Sequence, residues 1–301
     1  MRKYSKKSTV ISAALLLGLL LNGCSTGAAA LQTTVEETEM VPLPVQTISE
    51  QPTEETAPLQ TVAVQPTEVI ETLPPKQNPL WPDLAVGDFA EPMEPEGKVI
   101  YLTFDDGPNE NTLKLLKILE EYDVKATFFV VDTPCIGYVS AIAEAGHTVA
   151  LHSGSHKYRE IYANETAYFR DLQRIQSVVC SYIGECPTMI RFPGGSDNTV
   201  SRGYSRGIMT RLTDQVKEMG YRYFDWNVDS RDAAGAKTSA EVARNVIDQI
   251  AGKNVAVVLQ HDIYGFSVEA VPQIIRWGLE NGYRFEALTT QSPVCEHRVR
   301  N

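Results

Sequence analysis

His152-Ser153-Gly154-Ser155-His156 places two histidines four residues apart, directly after an apolar run. If the segment makes a helical turn, that spacing presents both imidazoles to one divalent metal. The same spacing suits surface or core histidines, so a third ligand decides between the readings. Asp105-Asp106 offers it. Neighbouring residues at a strand end point in different directions, so one carboxylate can ligate a metal while the other takes a proton from water. Two histidines and one aspartate leave coordination positions open, as a catalytic zinc requires. Asp105-Asp106-Gly107-Pro108 is equally a good turn sequence in its own right. Ser153 and Ser155 would suggest a serine hydrolase, but neither stands in a Gly-x-Ser-x-Gly elbow.

A frame must bring these residues together. Residues 99–104 read as a buried strand ended by the turn at 105–108. The apolar spacing of Leu113, Leu116, Ile118 and Leu119 predicts an amphipathic helix over 111–122. Further strands are expected at 126–131, 148–151, 189–192, 222–227, 255–260 and 283–288. Helices are expected at 138–144, closed by Gly146, and at 163–182, 207–219, 240–250 and 269–281. Strand alternating with helix means a parallel sheet, and about seven such units predict an α/β barrel or near-barrel. The polar residues of interest fall at the C-terminal ends of the strands, where such barrels carry active sites.

Five motifs follow one another along the chain. They are Thr103-Phe104-Asp105-Asp106-Gly107-Pro108, the paired histidines, Arg191-Phe192-Pro193-Gly194-Gly195, the run from Asp225 to Asp232, and Leu259-Gln260-His261-Asp262. The set resembles the NodB-homology polysaccharide deacetylases, carbohydrate esterase family 4, across residues 98–288. The resemblance implies a distorted (β/α)7-type barrel and a metal-dependent hydrolase that removes N-acetyl groups from a polysaccharide. It implies that Asp105 is the general base, that Asp106, His152 and His156 hold the metal, and that His261 is the general acid. Arg191 matches the arginine that pairs with the base. Asp232 matches the carboxylate behind the acidic histidine, with Asp229 as its rival. Amide hydrolysis needs each type: a base for water, a donor for the oxyanion, and an imidazolium to protonate the leaving amine. On this reading Arg191 keeps Asp105 ionised without a raised pKa, and the carboxylate behind His261 raises that of the imidazole.

Two positions depart from the commonest pattern of that family. Where many members carry an aromatic residue whose backbone N–H lines the oxyanion hole, this chain has Gly194. The N–H survives, but one wall of the sugar groove is lost. Ala233 stands where many members have tryptophan, removing another apolar surface. The expected metal is zinc, with cobalt or manganese suited to the same ligands. The expected polymer is peptidoglycan, at N-acetylglucosamine or N-acetylmuramic acid. Chitin oligomers, exopolysaccharide and acetylxylan are the alternatives within the family, and a non-catalytic glycan-binding lipoprotein is the alternative outside it.

Asn198 and Tyr264 lie in post-strand loops from which they could touch substrate. Trp226 is a candidate sugar platform, although Trp226 and Tyr223 on a strand, like Trp277 on the last helix, also suit the core. His147 reads as a helix cap, and His297 falls in the tail beyond the resemblance. Four cysteines besides Cys24 allow three pairings. Cys180–Cys186, across the turn at Gly184, is the favoured one, with free thiols as the alternative.

Residues 1–24 read as an export signal, with basic residues at 2, 3, 6 and 7 and an apolar stretch at 10–21. Leu21-Asn22-Gly23-Cys24 resembles a bacterial lipobox. It implies a diacylated Cys24 that anchors the protein on the extracellular face of the membrane, in the cell wall. An ordinary cleaved secretory signal is the other reading. Residues 25–95 have the composition of a disordered tether, and the stretch to 97 holds about 13 acidic residues against the single Lys76, with about 11 of the 17 prolines. Most of the net charge of −11 therefore belongs to this spacer. The remainder is near neutral and offers no basic face for nucleic acid. Trp81 and Phe89 are apolar enough to dock on the catalytic domain, which is expected at 96–291 and is followed by a tail at 292–301.

Overall fold

The computed structural model describes residues 81–87 and 90–301. The expectations for residues 1–24, including Cys24, for the spacer up to residue 80, and for Phe89 lie outside the described residues.

The elements run β1 (Lys98–Asp105), α1 (Glu110–Glu121), β2 (Thr127–Val131), α2 (Val139–Glu144), β3 (Thr148–Ser153), α3 (Tyr158–Ile161), α4 (Glu165–Ile183), β4 (Met189–Ile190), α5 (Ile208–Glu218), β5 (Arg222–Tyr223), β6 (Val228–Asp229), α6 (Ser239–Ile250), β7 (Val255–His261), α7 (Gly265–Glu280) and β8 (Tyr283–Phe285). All the strand pairings are parallel. The order is β5-β4-β3-β2-β1-β7-β6, with β8 beside the start of β1, and the sheet curls into a half-barrel clothed by helices.

Side-chain alternation sorts β1 into two faces. Ile100, Leu102 and Phe104 join the large core beneath the helices, whereas Val99 and Tyr101 join a smaller cluster inside the curl with Phe129, Ala150, Met189, Phe224 and Val257. The interior set continues toward the strand C-termini in polar residues, which is the link between fold and site. Asp105 follows Val99, Tyr101 and Thr103 at period two; His152 follows Ala150, Arg191 follows Met189, and His261 follows Val257 and Leu259.

Of the strand expected at 222–227 only β5 at Arg222–Tyr223 forms, and the next strand, β6, starts at Val228 on the opposite edge of the sheet. Phe224 donates its N–H to Ile190 O (3.0 Å), and Asn227 donates to Val257 O (3.1 Å). The chain thus leaves β5 and crosses to β6, spanning the gap between the two edges. Asn227 completes the crossing with its side chain, accepting from Val257 N (2.9 Å) and donating to Val255 O (3.1 Å). Helix α7 begins four residues earlier than expected, because Gly265 and Phe266 give no helical signal of their own. Before the barrel, Leu84 is buried, Trp81 lies against Phe169 of α4 (5.3 Å between ring centroids), and Ala85 N–H donates to Gln176 Oε1 (2.9 Å). This last part of the expected spacer packs on the domain. A disulfide joins Cys180 to Cys186 at the end of α4.

Candidate active site

Asp106 and His156 both adopt left-handed backbone, with φ of 72° and 54°, a conformation that non-glycine residues rarely take. These torsions turn the two side chains back over the end of β3. His152 is the buried inward residue of that strand, and the imidazole centroids of His152 and His156 lie 5.2 Å apart. The helical turn expected between the histidines does not form. Instead Ser153 Oγ accepts the N–H of His156 (2.8 Å) and donates to Asp171 Oδ2 on α4 (2.5 Å), and Gly154 N–H donates to the same carboxylate oxygen (2.7 Å). Gly154 is required there, since a Cβ would lie 2.9 Å from Asp171 O.

Asp106 Oδ1 stands 3.5 Å from His152 Nε2 and 3.2 Å from His156 Nε2, and the three ligand atoms lie within 4.8 Å of one another. That oxygen is buried with no hydrogen-bond partner, an arrangement that a cation would satisfy. His152 Nδ1 is 2.7 Å from Arg191 O, so its N–H donates to the carbonyl and Nε2 keeps its lone pair for the triad. Burial lowers the pKa of His152 to about 3, which holds the ring neutral. The donor set fits a divalent metal of the zinc type.

Arg191 is fully buried and bonds on every side. Nη1 donates to Asp105 Oδ1 and to Thr103 Oγ1 (both 2.7 Å), while Nε and Nη2 donate to Phe224 O and Asp225 O (both 2.9 Å). Its guanidinium also lies over the Phe129 ring, 4.1 Å from the centroid. Here the structure corrects one expectation: burial lifts the Asp105 carboxyl above its ordinary value, although Arg191 pulls the other way. Complete withdrawal from water outweighs one ion pair.

Parallel register sets Asp105 directly beside His261. Asp232, not Asp229, stands behind that histidine. Its Oδ1 meets His261 Nδ1 at 2.8 Å, and its Oδ2 accepts from His261 N (2.7 Å) and Ser267 Oγ (2.6 Å). Asp229 instead accepts from Arg231 N–H within its own turn (2.7 Å). Burial opposes a charged His261, but the Asp232 bond and the carboxylates of Asp105, Asp232 and Asp106 raise its pKa to about 9. Its Nε2 lies 3.9 Å from Asp106 Oδ2, facing the triad. Next in sequence, the Asp262 carboxyl fills the space beside Gly107 and accepts from Thr112 Oγ1 at the start of α1; burial lifts its pKa to about 7.

Gly194 is exposed at the mouth, with φ of 79°, beyond the end of β4. Its loop is held by side chains. Asp225 accepts from Ser196 N (2.8 Å) and Ser196 Oγ (2.5 Å), and also from the N–H of His297 in the tail (2.7 Å). Asn198 uses its amide within the loop, donating to Gly195 O (2.8 Å) and accepting from Ser201 N (3.0 Å). Both ends of the amide expected to touch substrate are thus engaged by backbone. Trp226 packs edge-on against His297 (4.8 Å) and beside Gly195, so the tail covers part of the expected sugar platform. The sequence carries no signal for His297, Ser196, Ser267 and Asp171, because their partners Trp226, Asp225, Asp232 and Ser153 stand on other segments of the chain. His147 is not a cap: its Nδ1 accepts the N–H of Ala126 (3.2 Å) against Phe128, away from the site.

An imidazole pair with a carboxylate, a buried carboxylate held by arginine, and a protonated histidine backed by aspartate define a site of the metal-dependent hydrolase class. The family model for polysaccharide deacetylase matches residues 93–224. A peptidoglycan-N-acetylglucosamine deacetylase of Bacillus cereus is 36% identical over 205 residues, which are 65% of this chain and 71% of the relative. The solved catalytic domain of a peptidoglycan N-acetylglucosamine deacetylase from Eubacterium rectale superposes with a TM-score of 0.69 at 51% identity, covering 70% of this chain and 98% of that one. A polysaccharide deacetylase of Bacillus cereus gives 0.57 at 35% identity, covering 65% and 96%. The chain belongs to the polysaccharide deacetylase family, hydrolases that act on N-acetyl amide bonds.

Proposed function

We propose that this protein removes the N-acetyl group of N-acetylglucosamine in peptidoglycan, with Zn2+ held by Asp106, His152 and His156. The observation that carries the reading is the convergence of that triad with Asp105 and His261 on one strand-end face. Zinc there would supply Lewis acidity for both the attacking water and the acetyl carbonyl. Asp105, fixed by Arg191, accepts the proton of the water. The N–H of Gly194 donates to the carbonyl oxygen as it gains charge. His261, oriented by Asp232, gives its proton to the departing amine nitrogen, so that acetate and a free amino sugar leave.

The spacer and the lipobox-like sequence at Cys24 support a location on the outer face of the membrane, where wall glycan is within reach. Acetate release from peptidoglycan, chitin oligomers and acetylxylan by protein stripped of metal and reloaded with zinc, cobalt or manganese tests the assignment. Zinc-restored turnover on peptidoglycan is expected. Release confined to chitin or xylan would reassign the polymer, and no release from any of them would refute the enzyme reading. Incorporation of labelled fatty acid that is lost in Cys24→Ala tests the anchor; equal labelling of the variant would reject it.

A further inference from the structure

The place of a side chain at position 194 is already filled from another element. A Cβ on Gly194 would lie 2.6 Å from the hydroxyl oxygen of Tyr158, and 3.2 and 3.3 Å from its Cε1 and Cζ. Tyr158 opens α3, two residues after His156, and meets the His156 ring edge-on at 5.6 Å. On its other side it packs on Tyr162 (5.7 Å), whose hydroxyl donates to Pro193 O (2.8 Å). Helix α3 is therefore pinned to the very loop that carries Gly194. The Tyr158 ring stands half-buried between the triad and that loop, with its hydroxyl against the exposed Gly194.

We propose that Tyr158 is a substrate-contacting residue, its ring forming the groove wall that glycine at 194 does not supply and its hydroxyl donating a hydrogen bond to the bound N-acetylated sugar. The inference rests on the deacetylase reading and extends it to a residue that sets specificity. A phenol suits the role: its ring offers an apolar face to a pyranose, and its O–H offers a donor at the rim. Held by His156 and Tyr162, it is ordered before the sugar arrives, which limits the entropy lost on binding.

The test is Tyr158→Phe, which keeps the ring and its packing and removes only the hydroxyl. The expected result is a loss of roughly 3- to 10-fold in kcat/KM on N-acetylglucosamine oligomers, the scale of one neutral hydrogen bond. Zinc content and thermal midpoint should match the wild type. In an Asp105→Asn background, the same change should weaken binding of the oligomer by a similar factor. Unchanged kcat/KM together with unchanged oligomer binding would overturn the inference while leaving the deacetylase reading intact. Absence of acetate release by the wild-type protein itself would overturn both.

Discussion

Asp105, His152, Arg191 and His261 sit at inward positions at or just beyond the C-terminal ends of β1, β3, β4 and β7, so ladder register sets their separations. Gly194 to Asn198, across the same mouth, form a loop whose shape depends on side chains: Asp225 on Ser196, Asn198 on the loop backbone, Tyr162 on Pro193 and the tail on Asp225. One half of the site is built by the fold and the other is tied by bonds worth about 1 kcal/mol each. The difference predicts how each half fails. Changes in the strand-borne half should remove a chemical role outright, and changes in the loop half should give graded losses with the metal retained.

His152→Ala is the most severe of these tests. It removes a buried ligand, so metal per chain should fall to background by elemental analysis, and acetate release should fall with it. Full metal occupancy in that variant would break the comparison at its firmest point. Asp232→Asn should have a smaller and more specific effect. In the proposed reaction His261 donates its proton, and its pKa is raised to about 9, so activity is expected below that value and should be lost as pH rises through it. Removing the carboxylate lowers that pKa, and the alkaline limb of the pH–rate profile should move to lower pH. A limb that stays in place would show that Asp232 does not govern the acid. Ser196→Ala should be the mildest, with kcat reduced roughly 3- to 10-fold and zinc content unchanged. Loss of metal in Ser196→Ala would show that the two halves are not separately held.

The strand-borne half was legible in the sequence for a physical reason. A carboxylate or imidazole at the end of an apolar period-two run must project where the strand leaves the core, as Asp105, His152 and His261 do. The choice between Asp229 and Asp232 was not legible, since both follow the same crossing segment. It turns on Arg231, whose φ of 60° redirects the chain so that Asp232 faces His261. The helical turn expected for the histidine pair failed because Asp171, on a different element, holds the bend through Ser153 and Gly154. The loop half depends on partners up to about a hundred residues away, such as His297 with Asp197 (3.1 Å). No local pattern signals these. Tyr158 was missed because a four-residue helix leaves too short a period to read, and because the vacancy it fills lies at Gly194.

The most direct test of the account is acetate release from peptidoglycan by the zinc-loaded protein, compared with chelated protein and with zinc-loaded Asp105→Asn. The account predicts steady release by the loaded wild type and none after chelation. It also predicts a fall of roughly 10²- to 10⁴-fold in Asp105→Asn with zinc still bound. Release that survives chelation, or that persists undiminished in Asp105→Asn, would contradict it.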